Sequence, residues 1–172
     1  TASYNTALGR DALFGNTTAD SNTGVGYGSL YTNAEGTANV AVGYNALDAN
    51  TVSNNTAVGY DSLGSNSTGT GNTAVGKDAG EFATTADDST FIGFQAGQGI
   101  TGVKLTGNDN TAVGASAGLV LQGAAIRNTL VGSSAGASLT TGSKNDAVGT
   151  GALAADDLGS RSVAIGDSAL GT

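Results

Sequence analysis

The 172-residue chain contains no cysteine, histidine, proline, methionine or tryptophan. Without cysteine no disulfide can staple the fold, and the redox compartment is left open. Without histidine or cysteine there is no Ser-His-Asp triad, no thiolate nucleophile and no usual zinc ligand set. No constellation breaks the pattern of the sequence in a way that suggests Ser-Lys or paired-carboxylate catalysis, so we expect a non-enzymatic protein with no catalytic residues, cofactor or metal. Basic residues are scarce and scattered: Arg10, Lys77, Lys104, Arg127, Lys144 and Arg161 are the only six. Counterion release needs clustered cations, so nucleic acid is not the expected partner. The formal net charge of -8 favours solubility and mutual repulsion. No run is apolar and long enough to cross a bilayer as a helix, so the chain is not expected to be membrane-embedded.

Glycine is what the chain has in excess, with 29 copies, and ten of them close one short phrase of the type Asn-Thr-Ala-Val-Gly. These are Gly9, Gly26, Gly43, Gly59, Gly76, Gly93, Gly114, Gly132, Gly149 and Gly166. The steps between them are 17, 17, 16, 17, 17, 21, 18, 17 and 17 residues. A fixed short period predicts a solenoid, here a single array over residues 1–172 with a widened coil at 94–114. The array starts and stops inside the repeat without a polar cap, which leads us to expect a piece of a longer fibre protein.

Each column of the repeat has a physical reading. The residue before the glycine is always aliphatic, from Leu8, Val25 and Val42 to Ile165, which favours an extended backbone and predicts a buried strand position. The alternation in the phrase places Thr and Val on one face of that strand and Ala on the other. The glycine itself predicts a positive φ or a close backbone approach. Three residues after it only Ala or Ser occurs, around which a second, shorter strand is expected. One place further on the residue is Leu in coils one to four, Gly80, Gly97, Gly118 and Gly136 in coils five to eight, and Leu again in the last two. This switch predicts three blocks that share a path but differ in core volume. Four residues before the glycine stands Asn, or Ser at 89 and 162, as a bonded ladder from coil to coil would require.

Ser162-Val163-Ala164-Ile165-Gly166 followed by Ala169 resembles the SVAIG repeat of YadA-like heads in trimeric autotransporter adhesins. Asn55-Thr56-Ala57-Val58-Gly59-Tyr60 with Ser62-Leu63 is similar to the NTAVGY repeats of phage tail-fibre-type proteins. The resemblance covers almost the whole chain. It implies an all-β fold, a left-handed parallel β-roll of about ten 17-residue coils packed as a homotrimer. It also implies an extracellular attachment fibre on a virion or a bacterial cell surface, whose partners are copies of itself and a cell-surface receptor or glycan. The YadA-like coil is shorter, so a longer return loop is expected here. In the trimer, the small Ala face of the phrase is the candidate for the three-fold axis, with Phe91 and Leu130 either plugging that axis or marking the faces as reversed.

Candidate recognition residues lie one place after the phrase glycine: Tyr27, Tyr44, Tyr60 and Phe94, flanked by Arg10 and Lys77. On successive coils such rings would stack about 4.8 Å apart, either gripping a sugar or protein surface or simply covering the coil. The widened coil, through Gln98 to Asp109, is a second candidate, since solenoid insertions go to loops and often to a binding face. Gly71 to Lys77 matches a phosphate-binding loop, but Asp78 stands where Ser or Thr should hold magnesium. The loop acids Asp20, Asp87, Asp88, Asp109, Asp156 and Asp157 lack the calcium-binding nine-residue-type repeat and read as solvated. The Thr column, Thr6, Thr23, Thr56, Thr73, Thr90, Thr111 and Thr129, motivates the alternative function, a monomeric ice- or glycan-binding solenoid. Val40, Asp146 and Val163 interrupt that column.

Overall fold

The computed structural model describes residues 1–171; Thr172, the last residue of the expected array, lies outside them. It is all-β without a helix. Ten three-residue strands run in chain order: β1 Thr6–Leu8, β2 Thr23–Val25, β3 Val40–Val42, β4 Thr56–Val58, β5 Thr73–Val75, β6 Thr90–Ile92, β7 Thr111–Val113, β8 Thr129–Val131, β9 Asp146–Val148 and β10 Val163–Ile165. All pair in parallel, each with its sequence neighbour, in one ten-stranded sheet. The register aligns equivalent repeat positions, Thr56 with Thr73 and Val58 with Val75, for example. The result is a β-solenoid of about nine turns, and nine steps of about 4.8 Å make a stack on the order of 43 Å long.

The orientation of the strands is the reverse of the sequence expectation. The central residue of each phrase faces into the coil: Ala41, Ala57, Ala74, Phe91, Ala112, Leu130 and Ala147 are fully buried. The Val/Ile column faces out, with Val75, Ile92 and Val148 each about 40% exposed. The cause is the narrow coil. Opposite the strand, Leu30, Leu47 and Leu63 already occupy the interior, and a Cβ added at Gly24 in the centre of β2 would lie 3.3 Å from Leu13 Cγ. Two branched columns cannot share that width, so the strand contributes its smallest residue. The Ala face therefore cannot meet a three-fold axis, and Phe91 and Leu130 are core residues.

The Leu-to-Gly switch is a volume exchange within this core. Where the strand centre grows to Phe91, the facing positions are Gly80 and Gly97. A Cβ on Gly80 would come within 2.6 Å of the ring, and one on Gly97 would strike it as well. Leu130 is flanked in the same way by Gly118 and Gly136, where added Cβ atoms would lie 2.9 and 2.8 Å from its methyl groups. Both Leu and Gly at this column adopt positive φ, 53° at Leu47 and 57° at Gly97. A leucine is tolerated in that conformation because its burial offsets a backbone strain of about 1–2 kcal/mol.

The expected second strand is absent among the described residues. Positive φ two and four residues after the phrase glycine, 50° at Asn45 and 53° at Leu47, turns that segment into a stacked turn instead. Its coil-to-coil bonds persist, as in Leu47 N–H to the Ser62 carbonyl at 3.1 Å. The phrase glycine meets both conditions expected of it. Gly93 has φ 133°, and an added Cβ would lie 2.5 Å from the carbonyl oxygen of Gly114 on the next coil.

Two polar ladders line the opposite edge of the core. Asn55 Oδ1 accepts from the Asn72 backbone N–H at 2.9 Å, and its Nδ2 donates to the Gly69 carbonyl at 2.8 Å. The same pair of bonds recurs along the column from Asn5 to Asn145, with Ser89 substituting through its hydroxyl. A second ladder, Asn33, Asn50 and Asn66, is fully buried seven residues after the glycine. Asn66 Nδ2 donates to Asn50 Oδ1 at 3.0 Å. In coils five to eight the second column turns apolar, through Ala83, Leu105, Leu121 and Leu139.

Candidate functional site

Two exposed surfaces follow from this architecture, one on the strands and one on the turns after them. The strand surface is the Thr/Val face. Asp146 is the only charged residue in the strands, so a flat, apolar and hydroxylated stripe runs the length of a strongly acidic molecule. The Thr column lies on this outward stripe, with Val40 and Val163 exposed at its interruptions.

On the turn side the expected ladder forms. Successive coils bring Tyr27, Tyr44 and Tyr60 into one column because the repeat register is unbroken across β2, β3 and β4. Tyr27 and Tyr44 stack at 5.2 Å between centroids and 12° between planes, Tyr44 and Tyr60 at 5.0 Å and 8°. Arg10 lies over the outer face of Tyr27 at 5.7 Å. Lys77 Nζ lies 5.3 Å from the Tyr60 centroid and 5.6 Å from that of Phe94, bridging the fourth expected residue to the stack. The faces of the three tyrosine rings are thus occupied by one another and by two cations, and they present edges and hydroxyls to solvent.

The charges around the ladder are coupled. Lys77 Nζ donates to Asp78 Oδ2 at 2.6 Å, and that bond pushes the ammonium above its usual range. The carboxylate of Asp61 pushes the Tyr60 hydroxyl up. Burial raises Asp48, and burial with the neighbouring Asp78 raises Asp61. Among the described residues no cluster of acidic side chains is arranged to hold a metal ion. The segment from Gly71 to Asp78 folds as strand and turn like its neighbours, without the helix a phosphate loop needs.

Sequence reasoning missed a second aromatic column. Phe14 and Tyr31, five residues after their phrase glycines, stack at 5.0 Å and 6°. The signal was present but spans only two coils, with Asp48 on the third. Between the two columns lies a groove of about 300 Å³ lined by Tyr27, Gly28, Tyr31, Tyr44, Asn45, Asp11 and Asp48. The widened coil, by contrast, closes on itself. Val103 N–H donates to the Ile100 carbonyl at 3.0 Å, and the chain rejoins the stack at buried Leu105, which bridges to Ala83 and Gly123.

Compared with protein-family models, curated proteins and solved structures, the chain matches none of them.

Proposed function

We propose that this chain is a non-enzymatic segment of an extracellular attachment fibre, on a virion or a bacterial cell surface, in which three copies pack side by side through their strand faces. The observation that carries this reading is the outward-facing aliphatic column from Leu8 to Ile165. An apolar stripe on a protein of charge -8 marks an association surface. Because every copy carries the same residues at the same axial spacing, a neighbouring copy matches it coil for coil. The thin Ala-rich core adds a second support, since a rod with little buried apolar area per residue gains most from lateral burial. The role is mechanical: the rod holds recognition sites away from an anchoring surface, and threefold repetition multiplies weak contacts to a receptor or glycan.

The Thr column on the same outward face favours a second reading, a monomeric solenoid that uses this flat face to bind ice. Native mass spectrometry separates the two. A particle of three times 16.5 kDa supports the fibre; a folded monomer of 16.5 kDa with thermal hysteresis supports the second reading and sinks the first.

A further inference from the structure

The groove between the aromatic columns has a composition that rod building does not require. In the first column the stack Tyr27–Tyr44–Tyr60 is terminated by a cation of the chain itself: Lys77 covers the Tyr60 face and is held by Asp78 at 2.6 Å. In the second column the stack Phe14–Tyr31 runs directly into Asp48 on the next coil, and among the described residues no Lys or Arg pairs with that carboxylate. The Asp48 carboxylate and the Tyr31 ring thus line one groove, and no cation of the described chain pairs with that carboxylate. Asp11, on the near side of the groove, already faces Arg10 at 3.3 Å, which leaves Asp48 as the groove's free charge. A second hollow of about 170 Å³ continues along the axis, shares Asn45 and Asp48 with the first, and adds Asp61 and Glu81.

We propose that this groove binds an amino sugar, its ammonium group seated between the Asp48 carboxylate and the face of Tyr31 turned away from Phe14. The carboxylates select against acidic ligands by repulsion. A neutral sugar could lie on the same Tyr31 face, but it would leave the Asp48 carboxylate without a cation. Cation–π attraction and a carboxylate together reproduce the arrangement the chain makes with its own Lys77. A volume of about 300 Å³ sits at the small end of ligand pockets and suits a ring-sized group. Asn45, whose side chain also bonds Asp61, and Tyr44 line the same groove and bring polar groups to ring hydroxyls. A lysine stem from a peptide would instead cover those groups with methylenes and leave them unsatisfied. The adjoining acidic hollow lets a linear oligomer continue along the rod.

This inference does not depend on self-association, because the groove residues lie in the turns that follow the strands and not on the strand face. The test is calorimetric titration of the whole chain with glucosamine oligomers, with fully N-acetylated oligomers of equal length, and with a lysine tripeptide. We expect the free-amine sugar to bind, and the acetylated sugar and the peptide to bind at least about tenfold more weakly. Asp48→Asn should lower the free-amine affinity by about tenfold or more, whereas Asp157→Asn, the same charge change at an exposed loop, should leave it unaltered. Tyr31→Leu, checked for folding by circular dichroism, should also weaken it. Equal binding of the acetylated sugar, equal binding of the peptide, equal loss in Asp157→Asn, or no binding by the wild type would each overturn the proposal.

Discussion

At the scale of single residues, this fold is decided by which side chains are forbidden as much as by which are present. Phe91 and its glycine partners act as one unit: the ring fills the space that Leu fills elsewhere, and a Cβ on Gly80 or Gly97 collides with it. Phe91→Ala should therefore destabilise by about 3–5 kcal/mol, since the surrounding glycines cannot collapse into the cavity. Gly97→Ala should be damaging in wild type and markedly less so in the Phe91→Ala background. A thermal double-mutant cycle checks this, and additive losses would show that the two sites are not exchanging volume. The groove carboxylates behave in the opposite sense. Burial holds Asp48 above the ordinary carboxylate range, and burial with Asp78 does the same for Asp61. A raised folded-state pKa means that the folded chain holds its proton more tightly than the unfolded one. The charged form thus costs stability at neutral pH, and that cost fades as pH falls through the raised values toward the ordinary range. Asp48→Asn should raise the melting midpoint at pH 7, by about 1–2 °C for a change of surface size, and should flatten the gain that the wild type shows on mild acidification. A lowered midpoint at pH 7 would mean that the carboxylate is stabilised by a partner rather than strained.

At the scale of the element, one coil is a three-residue strand, a stacked turn and a return loop pinned by asparagine. Asn55 shows why the pin matters: its amide satisfies both a backbone N–H and a carbonyl on neighbouring segments, and both bonds are buried. Asn55→Ala strands two buried backbone groups and should cost about 2–4 kcal/mol, measurable as a fall in denaturation midpoint; a loss below about 1 kcal/mol would mean that water replaces the amide. The period, the glycine column and this asparagine column were all legible in the sequence, because each repeats in nearly every coil with a residue type that has one strong physical reason to be there. The direction of the strand faces was not. Period-two alternation tells which residues share a face but not which face is inside. The deciding fact was the Leu column across the coil, whose bulk leaves room only for Ala. Phe91 and Leu130 carried that information, since a large apolar residue replacing Ala opposite a Gly is a core exchange. The second strand was misread because leucine does not advertise a positive φ. The Phe14–Tyr31 half of the groove was missed because it exists in two coils only and breaks no period.

At the scale of the whole molecule, the rod is quasi-one-dimensional: each coil touches only its neighbours, and the register is carried by identical columns. Two consequences can be separated by experiment. The first concerns the outer face. Val75→Asp and Val113→Asp place charges on the stripe without touching the interior, so a chain that assembles through this face should lose its higher-mass species while keeping its circular dichroism and its melting transition as a monomer. An unchanged native mass in the double variant would place the association surface elsewhere. The second concerns length. Removing residues 56–72 takes out one whole period and joins Asn55 to Thr73, which restores the phrase, the strand and both asparagine bonds at the junction. Such a chain should fold cooperatively, shortened by about 4.8 Å, because no contact in a stack of nearest neighbours spans more than one interface. Removing only 64–71 should fail at the junction, since it takes out the return loop of one coil and runs Leu63 directly into Asn72, so that the shortened coil cannot close a turn or stack on its neighbours. A 56–72 deletion that unfolds would mean that the removed coil carries stability of its own and that the coils do not contribute as interchangeable units.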